Sequence, residues 1–177
     1  KMVVLEGKAY CVGGMDKDYS GAIRELWQYD PAADTWLRRA DPPNAVFMAT
    51  GFGIGHTAYF YGGDRPGRVR FFLEYDASAD AWRARRPFPG ATNGGGGAAS
   101  LSGRGYLYSG FTATPTPFVE SREVWAYDPV ADAWTRLRDA GAPGRAMAAA
   151  FVIGDNFYLG LGSPGRGNLD DLWRWRP

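Results

Sequence analysis

The chain has 177 residues, 45% of them hydrophobic and 22% charged, with a formal net charge of +1. That balance excludes a disordered chain and gives no bulk attraction to nucleic acid or to an anionic membrane. No apolar run approaches the roughly 20 residues of a membrane helix, and the lone Cys11 can form no internal disulfide.

Glycine (25) and proline (12) are frequent enough to punctuate many short strands rather than long helices. In chain order, the first such set is "MVVLE" (2–6), "KAYCVGG" (8–14), "ELWQY" (25–29) and "TWLRR" (35–39). The second set begins with "VFMATGFGI" (46–54) and "TAYFYGG" (57–63), and continues through "YDASADAW" (75–82). The third holds "GGAASLS" (96–102), "RGYLYSG" (104–110) and "YDPVADAW" (127–134), and the fourth "RAMAAAFVI" (145–153), "NFYLGLG" (156–162) and "DDLWRW" (170–175). Cys11 falls inside a strand of the first set, where a buried small hydrophobe is expected.

These sets are one unit written repeatedly. Gly14, Gly63, Gly110 and Gly162 close the second strand of each and lie 49, 47 and 52 residues apart. Tyr29, Tyr75 and Tyr127 are spaced by 46 and 52, and Trp175 takes the same slot 48 residues later. Glycine pairs such as Gly13-Gly14 and Gly62-Gly63 suit a strand end where the chain bends or another backbone comes close. In "YDPAADTW" (29–36), Asp30 opens a turn and Asp34 is placed to bond nearby backbone N–H groups. Asp76 and Asp128 repeat the role of Asp30. Trp36, Trp82 and Trp134 follow the turn at identical offsets and are expected to pack into neighbouring sheets. The repeat claims all seven tryptophans for the core.

A period near 50 with glycine pair, Tyr-Asp and Trp at fixed offsets resembles the kelch repeat, and the resemblance covers almost the whole chain. It implies an all-β fold, a kelch β-propeller segment of about four blades, each a four-stranded antiparallel sheet with strands a to d from channel to rim. The blades would span about 1–44, 45–93, 94–143 and 144–177. The chain starts inside an a strand and stops after a c strand, so it is expected to belong to a larger ring of six or seven blades. Further propeller blades or another chain would complete that ring. Similarity to bacterial kelch proteins implies a secreted or periplasmic setting.

Arginine outnumbers lysine 17 to 3. Arg38, Arg39, Arg83, Arg85, Arg86, Arg136 and Arg138 lie on or beside d strands, where charge protects an unpaired sheet edge. The b–c loops (15–24, 64–71, 111–122, 163–169) and d–a loops (39–45, 86–95, 138–144) share one face of a propeller and are the expected binding surface. Arg65, Arg68, Arg70, Arg86, Arg122, Arg145 and Arg166 fall in or beside them. They are the candidate ligand-binding residues, because a guanidinium can hold a carboxylate bidentately.

Catalytic sets are missing from the sequence. His56 is the single histidine, which is too few for a His-ligated zinc or for the two-histidine copper site of galactose-oxidase-like kelch enzymes. Asp16, Asp18 and Ser20 match the opening of a calcium loop, but Trp27 stands where the twelfth-position glutamate is needed, so no metal and no cofactor is expected. The reading is a protein- or peptide-binding scaffold module with no nucleic-acid partner and no membrane insertion. The alternative is part of a kelch-type carbohydrate-active enzyme, similar to sialic acid mutarotases, with loop arginines on an anionic sugar.

Overall fold

In the computed structural model, described over residues 1–63, 71–92, 94–108, 110–112 and 119–177, the secondary structure is entirely β. Contacts divide the chain into two compact units, Lys1–Pro87 and Phe88–Pro177. Among the described residues no helix is long and apolar enough to cross a membrane.

The first unit holds two antiparallel four-stranded sheets in simple sequential order. One comprises β1 (Met2–Leu5), β2 (Lys8–Val12), β3 (Leu26–Asp30) and β4 (Thr35–Arg39). The other comprises β5 (Phe47–Ile54), β6 (Thr57–Gly63), β7 (Phe71–Asp76) and β8 (Ala81–Ala84). Strand alternation decides what is buried. Val3, Leu5, Tyr10, Val12 and Leu26 point from the first sheet into a shared core, and Ala58, Phe60, Leu73 and Tyr75 meet them from the second.

The second unit has a four-stranded sheet, β9 (Gly97–Leu101), β10 (Arg104–Tyr108), β11 (Val124–Asp128) and β12 (Ala133–Leu137). Its companion has three strands, β13 (Ala149–Ile153), β14 (Asn156–Gly160) and β15 (Leu172–Trp175). Tyr106, Tyr108, Val124, Phe157 and Leu159 form their common core. β1 and β15 are each an edge of their own sheet.

The fourth a strand is shorter than its apolar run suggested. It starts at Ala149, not 145, because Arg145 turns inward to an acid and Met147 adopts φ +57°. The aromatic core is also different from expectation. Tyr61, Tyr75, Tyr108 and Tyr127 are the fully buried aromatics, together with Phe60. The tryptophans are partly exposed, Trp36 by 53%. A tyrosine ring lies across a thin sheet core with its hydroxyl at the rim, whereas the larger indole seals the edge. Cys11 is half-buried rather than enclosed, since it alternates onto the bare face of its sheet.

Candidate functional site

The turn of each of the first three repeats is built by its first aspartate. Asp30 Oδ1 accepts the Ala32 N–H at 3.0 Å, Asp76 accepts Ser78 and Ala79, and Asp128 accepts Val130 and Ala131. The second aspartate does something else. Asp34, Asp80 and Asp132 sit at φ 51°, 50° and 47°, a left-handed conformation that a short polar side chain tolerates. From there each accepts the hydroxyl of the motif tyrosine at 2.7 Å: Tyr29 to Asp34, Tyr75 to Asp80, Tyr127 to Asp132. The expectation that Asp34 bonds local backbone N–H groups is thus corrected.

In the second sheet this arrangement becomes a clasp on the first. Asp80 also accepts the Ala40 N–H at 2.9 Å, and Trp82 Nε1 donates to the Ala40 carbonyl at 2.7 Å. Arg39 donates to the Tyr75 hydroxyl at 3.1 Å and to the Ala77 carbonyl at 3.0 Å. Trp82 closes the joint against Phe60 and Tyr75, with ring centroids at 5.7 and 5.0 Å. Burial and the bond to Asp80 push the Tyr75 phenol far above its ordinary pKa, against the pull of Arg39. The clasp is therefore neutral tyrosine, anionic aspartate and cationic arginine over the physiological range.

The first sheet carries the same constellation with nothing in it. Tyr29 and Asp34 are bonded, and Trp36 lies tilted against Tyr29 with ring centroids 5.0 Å apart, but the indole stands in solvent. Met2 and Val4 continue this face, Val4 being 65% exposed. Trp36 thus departs from the expectation that it packs into a neighbour. On β13 the outward side chains Phe151 and Ile153 are 41% and 61% exposed.

A second repeated device was missed in the sequence. At the start of β3, β11 and β15 an acid two residues before a tryptophan accepts its indole N–H: Glu25 from Trp27 at 2.8 Å, Glu123 from Trp125 at 3.0 Å, Asp171 from Trp173 at 2.6 Å. The i, i+2 spacing of acid and Trp in "ELW", "EVW" and "DLW" was the available signal. The rim arginines likewise do more than protect an edge. Arg38 bonds Asp41, Arg85 reaches the buried Glu74 at 3.2 Å, and Arg136 lies within 3.9 Å of Glu123.

The loop arginines do not form one set. Arg65, Arg68 and Arg70 lie outside the described residues. Arg86 is exposed in the first unit. Arg122 and Arg166 are exposed in the second unit, neither in an ion pair among the described residues. Arg145 is wholly buried. Its guanidinium is bidentate to Asp171, with Nη2–Oδ2 at 2.8 Å, and it also donates to the carbonyls of Leu161 and Pro143. Those bonds hold the Asp171 carboxyl down at about 2. Arg145 is committed to the fold and presents nothing to a ligand.

Arg145 braces a cluster of loops. Gly110 N–H donates to the Arg145 carbonyl and Ser121 N–H to the Gly110 carbonyl, each at 3.0 Å. Ala146 and Ser163 exchange two bonds at 2.9 Å, and the Tyr108 hydroxyl donates to Ala142 at 2.8 Å. Gly144 abuts the Glu120 backbone, and Gly165 abuts the Glu120 carboxylate. The segments around 110–112, 119–122, 139–147 and 161–171 are thereby fixed together, with Arg122 and Arg166 on their solvent side. In the first unit, both Asp16 carboxylate oxygens bond Ser20, to its N–H and its hydroxyl. Asp16 therefore caps its own turn. His56 stands exposed in the β5–β6 hairpin turn.

A family model described as Kelch motif matches residues 1–43. A solved structure of YjhT superimposes with a TM-score of 0.80 at 17% identity, over 97% of this chain and 64% of that one. At that identity the likeness speaks to fold, and this chain spans less than two thirds of YjhT's length. No curated protein matches the sequence.

Proposed function

For this chain, a kelch-repeat protein whose sheets are β-propeller blades, we propose the role of a protein- or peptide-binding module. The observation that carries it is the pair of solvent-facing guanidinium groups, Arg122 and Arg166, on loops that a buried ion pair holds rigid. A braced loop loses little conformational entropy on binding, and an arginine free of an internal carboxylate can take one from a partner. An acidic peptide segment fits this chemistry.

The module works as part of a larger assembly in this reading. The empty Tyr29–Asp34–Trp36 clasp and the apolar outer faces of β1 and β13 are blade-to-blade surfaces. Further propeller blades, or another chain, cover them and complete the ring.

Fluorescence polarisation against a panel of labelled acidic peptides tests the binding role, with the double variant Arg122→Ala/Arg166→Ala as comparison. Saturable binding by the parent chain, weakened by about tenfold or more in the variant, supports it. Equal binding by both proteins refutes the arginine site. A response to sialic acid with none to any peptide moves the function to an anionic sugar.

A further inference from the structure

The first unit contains an opening of its own. It lies between the inward face of β1–β4 and the Ala77–Ser78 turn that follows β7. Its volume is about 370 Å³, inside the roughly 300–1,000 Å³ range of small-molecule pockets. The cross-strand row Tyr10, Gln28 and Leu37 forms its floor.

Two groups in that floor are buried, polar and unanswered. Gln28 is only 8% exposed, yet its carboxamide has no hydrogen-bond partner among the described residues. Tyr10 is 5% exposed, and its hydroxyl has none either. Neither is sealed into the core: no polar side-chain atom of Gln28 or Tyr10 is both fully enclosed and without a hydrogen bond. Both therefore face the opening. The fold does not demand an amide here. At the same repeat position β7 carries Glu74, which is answered by Arg85, and β11 carries Ala126. Burial also raises the Tyr10 phenol above its usual pKa, so the hydroxyl stays protonated.

The surrounding charges select the ligand. Lys8 is paired with Asp30 at 2.9 Å, and Arg39 is engaged by Tyr75, Ala77 and Asp80. Glu6 adds an exposed carboxylate at the mouth. No cation in the lining is left for an anion, and the one unpaired charge is negative. A neutral molecule with several hydroxyls is what remains. A carboxamide can donate from Nε2 to one hydroxyl while Oε1 accepts from its neighbour, and phenol and serine hydroxyls serve in either sense.

We propose that this cavity binds a neutral polyhydroxyl ligand of monosaccharide size, oriented by Gln28 and Tyr10 and covered by Ser78 at the mouth. Leu5 and Leu37 supply the apolar wall for its C–H surface. The site is independent of the loop arginines, and its test does not depend on theirs.

The test is nuclear magnetic resonance titration of the full ¹⁵N-labelled chain with D-glucose, D-galactose and myo-inositol, following the backbone amides of Tyr10, Gln28, Leu37 and Ser78 in parent and variants alike. Sodium sulfate and sodium acetate are the comparison titrants. The expected result is a saturable shift with at least one of the three polyols, about tenfold weaker in Gln28→Leu. Tyr10→Phe, which deletes only an unpaired hydroxyl, should weaken the same titration and serves if Gln28→Leu fails to fold. No shift up to about 100 mM polyol overturns the proposal. So does a polyol shift of equal affinity in both variants, or a response to the anions alone.

Discussion

Replacing Arg145 by Met removes the guanidinium and keeps most of the stem. Arg145 is completely buried and its charge is answered by one bidentate carboxylate, while Leu161 and Pro143 offer it their carbonyls. Breaking a buried pair by deleting one partner typically costs about 3–5 kcal/mol. Here Asp171 keeps 29% side-chain exposure and the Trp173 indole N–H at 2.6 Å, so the orphaned carboxylate regains some solvation. The expected loss is therefore at the lower end, about 3 kcal/mol. Urea unfolding followed by tryptophan fluorescence at neutral pH measures it. Acid dependence supplies a second signature. The hydrogen bond from Arg145 is the largest cause holding Asp171 at about 2, below its unfolded value. A depressed carboxyl stabilises fully above the unfolded pKa, about 4, and that stabilisation fades as pH falls from about 4 toward 2. Arg145→Met should flatten this portion of the stability profile. A loss under about 1 kcal/mol with the acid limb unchanged would refute the idea that this pair braces the loops.

Two further outcomes follow from the same geometry. Gly13 has φ +61°, and a methyl group added there would strike the Val46 carbonyl, so Gly13→Ala should cost about 2–4 kcal/mol by thermal melting; an unchanged melt removes the requirement for glycine. Burial pushes the Tyr108 phenol up to about 12. Because its folded pKa lies above its unfolded one, its share of stability is complete below about pH 10 and is lost as pH rises toward 12. Ultraviolet titration should leave Tyr108 protonated above the ordinary phenol range, about pH 10, and a Tyr108→Phe difference spectrum showing ordinary ionisation would contradict the burial argument.

Strand positions were legible because they follow from local chemistry. The d strand of the first repeat was read at 35–39, and β4 occupies those residues. The turn role of Asp30 was equally plain, since an aspartate bonding two residues ahead is a local event. What the repeat could not reveal was inequality between copies. Trp36 and Trp82 hold one slot in the sequence, yet Trp82 meets Ala40, Phe60 and Tyr75 while Trp36 meets solvent. Arg145 was read as a ligand group because its partner, Asp171, lies 26 residues away and nothing local ties the two. The Gln28 cavity was invisible for a related reason: it depends on how the β7–β8 turn stands over β3, a distance that strand alternation does not encode.

The central claim is that, in the first unit, the Tyr–Asp–Trp motif of the second sheet fastens it to the outer strand of the first. Paired alanine substitutions test it most directly, through the unfolding free energies of Trp82→Ala and Trp36→Ala in the same chain. Trp82 fills a joint and bonds the Ala40 carbonyl at 2.7 Å, so its loss should cost about 3–5 kcal/mol. Trp36 occupies the open clasp, and its removal should cost under about 1 kcal/mol. Equal losses at the two positions would contradict the account, because the motif would then be stabilising its own sheet and not the junction between sheets.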